Sequence, residues 1–204
     1  MLFRSAVLKA DPADEGARDA LRRLYGQTSA FPALVDLLKH DLERKPADDR
    51  AGRSAILREI AGVHRDKLRN EQQLVQTLVQ LTTLDESDID SLRELVGIYD
   101  HLGRFRDLLT CQQKLAELTS DEAEKADLYR SIARRWADQF SNVQNAISGY
   151  ESLLTVLPKD AEARAKLKDL YTKRRAWAQL YTLLELDCAE AEGKDKIEIL
   201  SEMA

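Results

Sequence analysis

The feature that most limits what this chain can fold into is an internal repeat of about 72 residues. With Tyr25, Tyr99 and Tyr171 as origins, Leu21, Leu95 and Leu167 stand four residues earlier, and Leu24, Ile98 and Leu170 one residue earlier. Phe31, Phe105 and Trp177 stand six residues later, and Leu34, Leu108 and Leu180 nine later. The earlier positions share one face of a helix, whereas the step to the later ones crosses a turn and opens the apolar face of a second helix. Between these units lies another kind, at 57–88 and 129–160, in which Ile60 and Ala61 match Ile132 and Ala133, and a further copy begins at Leu200. Each period therefore holds two helix pairs, and units of this sort stack on one another to bury their apolar faces.

Composition fits that reading and narrows the function. One third of the 204 residues are charged and only 8 are Gly and 4 Pro, the usage of long amphipathic helices rather than sheets. The net charge of −5 comes from 31 basic and 36 acidic residues mixed along the chain, so there is no basic block for a nucleic-acid backbone, and nucleic acid is not an expected partner. No apolar run approaches the roughly 20 residues of a membrane span, and the first residues lack the pattern of a signal peptide. Membrane insertion is not expected, and the cytoplasm is the default compartment.

The spacing resembles that of tetratricopeptide repeats, helix pairs of about 34 residues with small residues at the eighth and twentieth positions, aromatics at the eleventh and twenty-fourth, and Pro near the thirty-second. Ala133, Ala146, Tyr150 and Pro158 fit that pattern in the unit at 122–160. Elsewhere Lys168 and Val96 replace the small eighth residue and Leu34, Leu108 and Leu180 the small twentieth, substitutions expected to push helices apart. The resemblance implies an all-α, right-handed α-solenoid of about a dozen helices in antiparallel pairs. The pairs are expected at roughly 14–46, 50–86, 88–119, 121–158 and 160–192, with partial pairs at 1–10 and 195–204, all in one repeat domain. Shifted by 146 residues, Val7 to Leu24 overlays Leu153 to Leu170, so the chain opens inside a second helix and closes inside a first one. The expectation is a piece of a longer array.

Reactive side chains are tested by their equivalents in the other copies. Cys111 matches Leu37 and Leu183, and Cys188 matches Leu42 and Ala116, which are packing positions. Two cysteines so placed form neither a disulfide framework nor a zinc spacing. His64 matches Trp136, a ring packed between helices; His40 matches Lys114 and Leu186, and His101 lies beside a turn. Asp14 with Glu15 and Asp48 with Asp49 fall where helices begin, as capping residues do. No catalytic, metal or cofactor residue is expected.

In the tetratricopeptide class the first helix of each pair lines a concave face whose fifth position points at bound peptide. Here the fifth positions are Arg58, Arg93 and Arg130, with Arg23, Arg65 and Arg134 nearby. The resemblance implies a protein-interaction scaffold presenting these arginines to a protein or peptide, one with an acidic segment, through bidentate contacts. The competing reading is a solvated lattice of neighbours such as Arg130 with Asp127 or Arg134 with Asp138. The ninth positions, Gly62, Gly97, Arg134 and Asp169, do not form a carboxylate clamp, and the two glycines admit close approach of a helix or a ligand. Alternatives are a regulatory, assembly or spacer module of a larger protein and, less favoured, an RNA-binding helical repeat.

Overall fold

The computed structural model describes residues 14–203. Among them lie eleven α-helices, one π-helical turn and no strand, so the all-α class read from the sequence holds. In chain order they are α1 (Glu15–Gln27), α2 (Phe31–Arg44), α3 (Arg50–Val63), the π-turn (His64–Leu68), α4 (Glu71–Leu84), α5 (Ile89–His101), α6 (Phe105–Leu118), α7 (Glu122–Asp138), α8 (Val143–Val156), α9 (Ala161–Arg174), α10 (Trp177–Glu190) and α11 (Gly193–Met203). The partial pair expected at 1–10 lies outside the described residues. The chain divides into two compact units, one up to Phe105 and one from Arg106 on.

Sequence chemistry sets where the helices start. The odd-numbered helices from α1 to α9, the first members of the expected pairs, each follow an aspartate that accepts a backbone N–H. Asp14 takes it from Ala17, Asp49 from Gly52, Asp88 from Ser91, Asp121 from Ala123 and Asp160 from Ala163, at 2.8–3.1 Å. Such a side chain satisfies one of the four N–H groups that a helix start leaves without an internal partner. Asn70 and Asn142 do the same for α4 and α8, to Gln73 and Asn145.

Helix ends repeat as closely. Ser29, Gly103 and Arg175 all adopt positive φ, at 55°, 66° and 56°. The next residue's N–H then closes onto the carbonyl of Tyr25, Tyr99 or Tyr171, each at 2.9 Å. This left-handed C-terminal cap turns the chain into the second helix of the pair. The other kind of unit ends in the same way at Arg69 and Ser141, with φ of 48° and 49°, and there the closing bonds go to the carbonyls of His64 and Trp136. The equivalence of His64 and Trp136 is thus present in the backbone.

Each unit has its own core. In the first, Leu34, Val35 and Leu38 of α2 pack with Ile56, Ile60 and Val63 of α3, and Phe31 and Leu68 border them. In the second, Ala133, Ala146, Tyr150 and Leu153 join Ala163, Leu167, Leu170 and Tyr171. Ala133 and Ala146 have no exposed surface and Tyr150 only 1%. The α7–α8 contact is the most extensive between helices, and those of α1 with α2 and α9 with α10, where Leu34 and Leu180 replace the small residue, are sparser. Small side chains let backbones approach and larger ones hold them off.

Candidate partner-binding face

Within the first unit, Arg58 on α3 and Arg65 on the π-turn that follows it reach forward to α5. Arg58 Nη2 donates to Asp88 Oδ2 at 2.9 Å, while the other oxygen of Asp88 caps α5 at Ser91. Seven residues later, Arg65 makes a bidentate pair with Glu94, Nε to Oε1 at 2.6 Å and Nη2 to Oε2. The Asp88 side chain is 5% exposed, whereas the Arg58 side chain is 55% exposed. A guanidinium lying over the surface thus holds a buried cap.

The second unit repeats the device from α7 to α9. Arg130 Nη2 donates to Asp160 Oδ2 at 2.8 Å, and Asp160 caps α9 at Ala163 through its other oxygen. Arg134 pairs with Glu162, Nε to Oε1 at 3.1 Å and Nη2 to Oε2 at 2.6 Å. Both Arg58 and Arg130 reach a partner thirty residues ahead, one full pair along the repeat. The bond to the Ala163 N–H, followed by the one from Arg130, holds the Asp160 carboxyl below the usual carboxylate range. Donation to Asp160, Glu162 and Glu94 holds the guanidinium groups of Arg130, Arg134 and Arg65 above their ordinary values.

The six arginines picked from the sequence fall into two sets. Arg58, Arg65, Arg130 and Arg134 are engaged by carboxylates of the following first helix. Arg93 lies 3.5 Å from Asp90 and has a further interaction, and Arg23 is exposed on α1 and forms no ion pair among the described residues. Of the same-helix pairs expected, Arg130 with Asp127 forms at 2.6 Å, but Arg134 turns to Glu162 instead of Asp138. The carboxylates missed from sequence, Asp88, Glu94, Asp160 and Glu162, left a signal: a spacing of 28 to 30 residues that recurs in the two units. No neighbouring helix touches Gly62 or Gly97, because a Cβ built on either meets nothing within 4 Å.

The side chains with reactive chemistry are placed as packing or surface groups. His64 is 4% exposed and neither ring nitrogen has a hydrogen-bond partner. Burial, and then the charge of Lys39, push its pKa below the usual histidine value. His40 lies 3.4 Å from Glu43 and His101 3.8 Å from Glu71, so each has an exposed glutamate beside it that the sequence reading had not assigned. Burial, helped by Asp107, pushes the Cys111 thiol up, away from the reactive thiolate. Among the described residues, no three His, Cys, Asp or Glu side chains are grouped to hold a metal ion. No helix among them is long and apolar enough to cross a membrane.

No family model and no curated protein matches the sequence. Among solved structures, the chain is similar to MamA, with 14% identity over 91% of each chain and a TM-score of 0.41. A tetratricopeptide repeat protein from Parabacteroides merdae is 15% identical over 91% of this chain and 72% of that one, with a TM-score of 0.43. BtubC from P. vanneervenii is 13% identical over 98% of this chain and 86% of that one, with a TM-score of 0.39. A likeness at this identity concerns helical architecture and carries nothing about binding.

Proposed function

We propose that the chain is a protein-interaction scaffold of the cytoplasm whose working surface, within each of its two units, is the face formed by that unit's first helices. The observation that carries this reading is the recurrent placement of Arg58 and Arg65 in one unit and Arg130 and Arg134 in the other, each oriented by a carboxylate at the next first helix. A guanidinium fixed by one bidentate or two-point partner keeps N–H donors for a ligand while losing little further side-chain freedom on binding. The open space over Gly62 and Gly97 lets a peptide backbone come close. An acidic segment is the expected ligand, with Arg58 and Arg93 as anchors in the first unit and Arg130 in the second, and Arg23, Arg65 and Arg134 flanking. This mode of recognition asks for a preformed surface and no chemistry, and we read the chain as non-enzymatic.

The test is a peptide-display selection against the whole chain and against an Arg58→Gln, Arg93→Gln, Arg130→Gln variant of matched melting temperature. Glutamine keeps length and polarity, whereas glutamate would set a second carboxylate beside buried Asp88. Enrichment of acidic peptides by the first protein and not by the variant supports the proposal. Equal enrichment by both moves binding elsewhere, and no enrichment by either favours a spacer or assembly module of a larger protein.

A further inference from the structure

His64 and Trp136 occupy one position of the repeat, but the backbone that follows them differs. Trp136 lies inside α7, which runs on to Asp138, and its ring stands 5.0 Å from that of Phe140. At His64 the α-helix stops and the chain widens into the π-turn His64–Leu68. Arg69 then takes a left-handed φ of 48°, and the Asn70 N–H closes onto the His64 carbonyl at 3.0 Å. A π-turn is a rare backbone form, and a left-handed residue other than glycine adds a cost of its own. The turn is therefore held largely by what its side chains reach. Arg65 is bonded to Glu94, Lys67 lies 5.9 Å from the centre of the Phe31 ring, and Leu68 borders the core of α2 and α3.

At the base of this turn the His64 ring is buried, and neither nitrogen has a hydrogen-bond partner among the described residues. Protonation would add a second N–H donor and a full charge where neither is met, so a charged ring must swing out to water. The charged groups around it give no relief. Lys39 of α2 acts on the ring with the same sign. Asp41 of α2 is taken up by Arg18 and Arg22, and Glu59 of α3 lies 3.9 Å from Arg22. Glu71, the one titratable residue of α4, lies 3.8 Å from His101. On the turn itself Arg65 is held by Glu94, and Asp66 is exposed.

We infer that His64 is an acid-sensitive latch, whose protonation expels the ring, opens the π-turn and frees Arg65 from Glu94 while α3 and α5 stay folded. The opening stays local because the Arg58–Asp88 contact, which joins α3 to the start of α5, lies outside the turn. The latch is a property of the turn and holds whether or not the arginine face binds a peptide. Proton linkage sets its slope. The closed form holds the imidazole below the ordinary 6.5, so the open form takes up the proton first. The opening constant then rises about tenfold for each pH unit below about 6.5, until the closed ring titrates as well.

Hydrogen exchange of the whole chain, followed by nuclear magnetic resonance at pH 7.5, 6.5 and 5.5, tests the latch, with each rate divided by the intrinsic rate at that pH. The Asn70 amide, bonded to the His64 carbonyl, is expected to lose about tenfold in protection between pH 6.5 and 5.5. The Arg65 Nε–H should lose protection in step with it, while the Ser91 amide in α5 keeps its own. His64→Trp removes the titrating group, and His64→Phe serves if the larger ring does not fit; in either variant Asn70 and Arg65 should hold their protection down to pH 5.5. The inference is overturned if Asn70 keeps its protection in the unaltered chain, if Arg65 fails to follow it, if Ser91 falls along with both, or if the His64 variants respond as the chain itself does.

Discussion

A Cβ built on Gly149 stands 2.9 Å from the Cβ of Ala133, closer than real Cβ contacts come. The seam between α7 and α8 therefore closes on two backbones with only one methyl group between them. Gly149→Ala is expected to lower stability by about 1–3 kcal/mol, because overpacking outweighs the gain in helix propensity. Gly97→Ala, at a helix position with open space above it, is expected to raise stability by about 0.5–1 kcal/mol. Urea denaturation midpoints of the two variants should move in opposite directions.

The buried imidazole of His64 makes stability depend on pH. Its pKa is lower in the folded chain than the ordinary 6.5, so the unfolded chain takes up the proton first. Stability is then fully present above about pH 6.5 and falls as pH drops below that value, until the folded form titrates as well. His64→Trp, the residue of the other copy, should flatten this part of the profile. Melting temperatures at pH 7.5 and 5.5 for both proteins check it; equal slopes would show that other groups carry the dependence.

Arginines that look alike on the surface should differ when removed. Arg58→Ala leaves a nearly buried Asp88 with only its cap bond, and is expected to cost about 1–2 kcal/mol. Arg134→Ala breaks a pair that is 49% and 44% exposed, and should cost no more than about 0.5 kcal/mol. Repeating both in high salt separates them further, since an exposed pair is screened and the Asp88 contact much less.

Left-handed helix ends give a fourth test. Arg175→Gly and Ser141→Gly put the residue without a Cβ at φ of 56° and 49°, and each should stabilise by roughly 0.5–1 kcal/mol. Gly103→Ala, at φ 66°, should destabilise by about 1 kcal/mol. Thermal melts of the three variants suffice.

Much of the fold was legible because a repeat carries its own internal controls. Tyr25, Tyr99 and Tyr171 mark the same helix end in three places, and one glance at Ser29, Gly103 and Arg175 shows why only one of them needed to be Gly for the turn to be read. The packing role of His64 followed from Trp136 in the same way. The partners of Arg58 and Arg134 were not legible, since the choice between a same-helix aspartate and a carboxylate some thirty residues on depends on how successive first helices lie side by side. The tight seam at Gly149 escaped for a related reason: a glycine in a helix pattern reads as a weakness until the facing Ala133 is in place.

Asp88 belongs to two helices at once, holding the first turn of α5 with one oxygen and Arg58 of α3 with the other. Fraying of that first turn therefore loosens a side chain one repeat back, and loss of the arginine weakens a helix start one repeat ahead. Cooperativity passes from neighbour to neighbour through helix ends as well as through apolar contact. Amide exchange at Ser91 thus becomes a gauge of the integrity of α3, a helix to which it does not belong.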